Sequence, residues 1–193
     1  MKIKTFIFAI AFFNIGITNA ALINNGDFTT DNTTNLDWLD LTFSKGYSYN
    51  ELLFETSVGG LFEDYSLATV DQVNSLFLSA GLPSIGNETT NFSSVKNLIS
   101  LIGSTSEQNG FLQSTGITAT PGNPFGHKVT GLDFFYDNGK PKYSLIDGLT
   151  FGDSFGPSTV GGWLIRESVV VPEPSSLLLL SLGILLSQRK IKV

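Results

Sequence analysis

Apolar positions along the chain fall into three kinds of pattern. There are unbroken blocks near both ends, helical stripes in the first half of the body and short strand-like runs in the second. Val70, Val73, Leu76, Phe77 and Ala80 recur at helical spacing and predict a helix over residues 70–80. Thr69 and Gln72 can form a capping box in front of it, and Gly81 and Pro83 stop it. A second stripe of Phe92, Val95, Leu98, Ile99 and Ile102 predicts a helix over 92–102, ended by Gly103. Ser48 can cap a shorter helix through residue 56, with Glu51 three positions on. Such caps matter because the first N–H groups of a helix have no partner within it.

The strand signals are shorter. Ala21-Leu22-Ile23 predict one strand, and residues 35–42 predict another that enters a turn, with Leu36, Trp38, Leu39 and Leu41 apolar. Beyond Gly110, Phe111-Leu112 and Ile117-Thr118 read as two short strands. Residues 128–136 and 143–146 read as a hairpin turned by Asp137-Asn138-Gly139, and residues 161–166 as a last strand. The expectation is a single α+β ectodomain over residues 21–168, with helices mainly in its first half and a mostly antiparallel sheet.

The unbroken blocks belong to neither pattern. Lys2 and Lys4 precede an apolar run over residues 5–17, and Thr18-Asn19-Ala20-Ala21 follows it. A basic start, an apolar stretch too short to span a bilayer and small residues behind it make a secretory signal peptide. Cleavage is expected after Ala20, or failing that after Ala21. At the other end Val171-Pro172-Glu173-Pro174-Ser175-Ser176 precedes a leucine-rich block that runs to Leu186, and Arg189, Lys190 and Lys192 close the chain. Two prolines around Glu173 deny the backbone helix and strand bonding and hold it extended, as a processing cleft requires. The apolar block can enter a bilayer as a helix, with the basic end remaining cytoplasmic. As a helix, residues 175–187 cover only about 20 Å, against a hydrocarbon core of roughly 30 Å, so a transient anchor is expected.

Composition narrows the body further. A chain of 193 residues with 41% hydrophobic content holds one ordinary domain. Charged residues make up 15% of it, below the typical ~25%, which suits a secreted domain with a neutral polar surface. The net charge of −6 hides an asymmetry: residues 21–171 hold 16 acids and 6 bases, a balance of −10. An acidic body repels nucleic acid, which is excluded as a partner. The chain has no cysteine, so disulfides, thiolate metal sites and cysteine nucleophiles are excluded too.

The order Pro-Glu-Pro, apolar helix and basic end, at 171–192 behind a signal peptide, resembles the PEP-CTERM sorting signal. The resemblance implies recognition by an exosortase, an integral membrane protease–transpeptidase. Val171, Pro172, Glu173 and Pro174 then form the processing motif, and Arg189 and Lys190 the basic stop. It implies export through the Sec translocon, transient anchoring in the cytoplasmic membrane and delivery to the surface of a Gram-negative cell that makes exopolysaccharide. Residues 25–31, 36–42, 48–54 and 68–77 also resemble segments of a recurrent type of PEP-CTERM protein.

Chemistry in the body is sparse. His127 is the single histidine; alone and without cysteine it cannot make a typical zinc site, and it is expected on a loop or strand edge. No Gly-x-Ser-x-Gly elbow is present. Asp27, Asp31, Asp37 and Asp40 offer oxygen ligands that calcium accepts, without the spacing of an EF-hand loop. Trp38, Trp163, Tyr47, Tyr49, Tyr65 and Tyr136 could stack on a sugar, although rings of this kind more often fill a core. The expected function is that of an exported, exosortase-processed surface or matrix protein, with a binding or structural ectodomain associated with exopolysaccharide. The alternative is a secreted hydrolase acting on extracellular polysaccharide, which needs two titrating groups, His127 or a pair of acids, in one pocket.

Overall fold

The structure, a computed structural model, describes residues 21–82 and 91–169. The expected signal peptide, the Pro83 helix stop and the tail from residue 170 onward lie outside the described residues. In chain order the elements are β1 (Leu22–Asn24), β2 (Phe28–Asp31), β3 (Leu36–Leu39), a 3-10 helix (Leu41–Ser44), α1 (Tyr49–Glu55), β4 (Ser66–Leu67), α2 (Val70–Ser79) and α3 (Phe92–Ile102). There follow β5 (Ser106–Gln108), β6 (Phe111–Pro121), β7 (His127–Asp137), β8 (Lys140–Phe151), β9 (Gly161–Gly162) and β10 (Leu164–Glu167).

All three helices form where capping or periodicity places them. Ser48 and Glu51 close a complete capping box on α1, and Thr69 and Gln72 close another on α2. On α3, Val95, Leu98, Ile99 and Ile102 are buried, whereas Phe92 at its start is 40% exposed. Gly103 ends the helix with φ +83, a conformation that favours glycine, and a Cβ there would fall on the Asp40 carboxylate.

One sheet was expected; the chain builds two. The first has the order β1-β2-β3-β10-β4 and is antiparallel throughout. The second has the order β5-β6-β7-β8, with β9 added to β6 in parallel. The β7–β8 turn is the two-residue type foreseen, with positive φ at Asn138 (+51) and Gly139 (+74). The two strands expected at 111–112 and 117–118 are one continuous strand, β6. Its middle is polar yet buried, with Ser114 and Thr118 satisfied by backbone carbonyls of Gly103 and Lys128, so no apolar run marks it. The expected last strand over 161–166 is divided. Gly161 and Gly162 pair with Gly116 and Ile117, Trp163 turns the corner, and β10 enters the centre of the first sheet.

The Trp163 corner organises the core. Its ring meets Trp38 edge-on at 5.9 Å and Phe77 at 6.1 Å, and its indole N–H donates to the Thr130 carbonyl at 2.9 Å. Val73, Leu76 and Phe77 of α2, the buried stripe of α3, and Leu132, Phe134 and Tyr143 of the second sheet complete that cluster. A second cluster, around Leu52, Phe62, Ile117, Val129 and Leu164, lies under α1. Gly116 is obligatory: a Cβ there would stand 2.8 Å from Trp163 Cδ1. β6 runs across the ends of three strands of the first sheet. Ser114 bonds Gly103, which abuts Asp40 after β3. The Ile117 carbonyl accepts from Trp163 before β10, and Ala119 N–H donates to Ala68 after β4.

Candidate functional site

Because β1 is antiparallel to β2, β2 to β3 and β3 to β10, the start of the domain and its end lie at one edge. Asn32 N–H donates to the Ala21 carbonyl at 2.8 Å, and Ser168 N–H donates to the Asn35 carbonyl at 3.0 Å. The β2–β3 turn, residues 32–35, therefore touches both ends of the described domain. A shallow cavity beside it is lined by Thr33, Thr34, Ser75, Leu78 and Ser79, which brings the C-terminal turn of α2 to the same edge. Beyond Ser168, Val169 is 81% exposed. Val171, Pro172, Glu173, Pro174, Arg189 and Lys190 lie outside the described residues.

His127, expected on a loop or strand edge, opens β7 and is not isolated. Its ring stacks on Tyr49 with centroids 3.4 Å apart and planes 8° from parallel. Its Nδ1 lies 2.7 Å from Asp153 Oδ1. Asn50 N–H donates to the Asp153 carbonyl at 3.0 Å and ties this loop to the start of α1. Burial raises the Tyr49 phenol above its usual range, and the Asp153 carboxylate adds to that. No serine or threonine hydroxyl among the described residues hydrogen-bonds to His127, so the pair has the acid–base half of a triad without its nucleophile. Asp153 was not foreseen, yet the hairpin carries a signal for it. Counting back along the strands from Asp137 opposite Lys140 sets His127 opposite Thr150, and the irregularity between Val129 and Gly131 moves its partner to Phe151, two residues short of Asp153.

Three of the four acids proposed for calcium bond within the fold, although Asp31 Oδ2 is buried without a hydrogen-bond partner. Asp31 Oδ1 accepts from Thr33 N–H at 2.8 Å. Asp37 accepts from Thr30 Oγ1 at 2.6 Å and Arg166 Nε at 3.2 Å. Asp40 accepts from Thr42 N–H at 2.8 Å and starts the 3-10 helix. Among the described residues no three acids or histidines come together in a metal-binding group. Arg166 lies 4.8 Å above the rings of both Phe28 and Tyr65. Burial raises the Tyr65 phenol; the Arg166 guanidinium opposes the shift, while the Asp37, Asp64 and Asp27 carboxylates reinforce it. On β7, burial raises the Asp133 carboxyl against hydrogen bonds from Gln113 and Ser144 that lower it.

Of the six candidate stacking rings, Trp38 and Trp163 are core, each 1% exposed. Tyr47, Tyr49 and Tyr65 pack partly buried against the second cluster, and Tyr136 is exposed. Phe54, Phe125 and Phe155 are exposed rings that the sequence did not single out.

A family model described as the PEP-CTERM protein-sorting motif matches residues 170–190. The chain therefore carries a PEP-CTERM sorting motif, which supports an exported protein sorted by an exosortase and implies a membrane-anchored sorting tail. No curated protein and no solved structure matches the chain. Among the described residues no helix is long and apolar enough to cross a membrane.

Proposed function

We propose that the Sec translocon exports the chain under the signal peptide of residues 1–20, and that the apolar block of 175–187 then holds it transiently at the cytoplasmic membrane. Arg189 and Lys190 stop translocation. The exosortase processes the chain at or near Val171-Pro172-Glu173-Pro174 and leaves the ectodomain at the surface or in the extracellular matrix of a Gram-negative, biofilm-forming cell. There the ectodomain is a binding or structural module associated with exopolysaccharide. The observation that carries this reading is the sorting motif at residues 170–190, which begins directly behind the last strand of the domain. The exposed rings of Tyr136, Phe125 and Phe155 support the association with sugar, since an aromatic face stacks on a sugar's C–H surface. The hydrolase alternative draws on one observation, the 2.7 Å contact of His127 with Asp153. Polysaccharide cleavage that disappears in His127→Ala would favour it.

The test fuses residues 168–193 to an exported reporter in the native host. The reporter is expected to lose the tail with the natural sequence and to keep it when Pro172, Glu173 and Pro174 are all replaced by alanine. Equal processing of both fusions contradicts the proposal.

A further inference from the structure

We infer that the edge formed by residues 32–35, the C-terminal turn of α2 and Ser168 is the surface that the domain turns toward a lipid bilayer while the tail is inserted. The inference rests on the sorting reading above and adds an orientation to it. Both apolar blocks of the sequence, residues 5–17 and the leucine-rich tail, connect to the domain at this edge, through Ala21 and Ser168. β1 and β10 are three strands apart in the sheet, so the two connections leave about 14 Å from one another at ~4.8 Å per strand. A domain held at both ends before signal cleavage is thus drawn to the membrane by a single edge. After cleavage the chain between Ser168 and Leu177 reaches at most roughly 30 Å, which keeps that edge within this distance of the lipid.

The chemistry of the edge fits a headgroup surface. Its turn is Asn32-Thr33-Thr34-Asn35, uncharged, with the exposed Leu78 side chain beside it and two adjoining acids, Glu167 and the fully buried Asp31. Among the described residues, Asp27 and Asp40, which anionic lipid would repel, lie at the far ends of β2 and β3. The opposite end is also fixed by contacts. Gly46 N–H donates to the Val160 carbonyl, and a Cβ on Gly46 would meet Ser158, so Lys45 and Ser158 stand together beyond the 3-10 helix. From Gly161 to Glu167 the chain runs from that end to the exit edge. The outward end therefore carries Lys45, Ser158 and the exposed Phe43.

The lack of cysteine makes the orientation measurable. Thr33→Cys and Leu78→Cys place a fluorophore at the proposed membrane edge; Lys45→Cys and Ser158→Cys place it at the outward end. All four positions are exposed, and each pair has two members in case one variant misfolds. The full chain is inserted into vesicles of phosphatidylethanolamine and phosphatidylglycerol that carry a headgroup nitroxide. Labels at Thr33→Cys and Leu78→Cys are expected to lose most of their emission, and labels at Lys45→Cys and Ser158→Cys to retain it. Equal quenching at both ends, or quenching at the outward end alone, overturns the orientation and leaves the sorting reading intact. A chain that fails to associate with the vesicles overturns both.

Discussion

Two neighbouring stretches, residues 161–167 and 171–190, carry their information in opposite ways. The tail holds its message in residue order: prolines around a glutamate, an apolar block, then basic residues, each interpretable without the rest of the chain. The stretch before it has no meaning alone. Gly161 and Gly162 are glycines because the Leu41 carbonyl and the Leu52 side chain occupy the space a Cβ needs. Trp163 is buried between both sheets and α2, and β10 holds the centre of the first sheet between β3 and β4. An address can be written in a peptide; a fold is closed by contacts from far along the chain. The consequence is that the domain cannot complete either sheet until its last residues before the tail have crossed the membrane.

The sharpest way to break this contrast is to damage each stretch in turn. Trp163→Ala removes the indole that packs against Trp38 and Phe77 and takes its donor from the Thr130 carbonyl. It should cost about 3–5 kcal/mol of stability, read as a lower urea midpoint of the domain. Alanine at Pro172, Glu173 and Pro174 should leave that midpoint unchanged and stop processing. A smaller effect lies at a cap: Thr69→Ala removes the side-chain acceptor for Gln72 N–H at the start of α2. A loss of about 1 kcal/mol is expected, with processing unaffected.

The smallest effect is one of pH. Burial raises the Tyr49 and Tyr65 phenols, so the folded domain keeps protons that the unfolded chain releases near about pH 10. The folded state then binds more protons above that value. Stability is fully present below it and falls as pH rises through it. Urea midpoints compared at about pH 9 and about pH 11 should show the drop, and Tyr49→Phe should reduce it.

Legibility followed the range of the interactions. α1, α2 and α3 were readable because a cap and a stripe act within a few residues, as Ser48 with Glu51 and Thr69 with Gln72 show. β2 and β4 were not readable. β2 buries Thr29 and Asp31 rather than an apolar face, and β4 is two residues held by pairing with Leu164 and Ile165. The split at Trp163 escaped because both halves are strand-like and only their partners differ. His127 could be seen, but its companions Tyr49 and Asp153 come from α1 and from the loop after β8, and the fold alone joins them. The sorting motif needed no fold to be found.

The most direct measurement maps the ends of the mature protein by mass spectrometry after expression in its own host. The account predicts an N-terminus at Ala21 or Leu22, an unbroken domain through Glu167, and a C-terminus at or near Pro172-Glu173-Pro174. A chain intact through Val193, still in the membrane of a strain with an active exosortase, would contradict it.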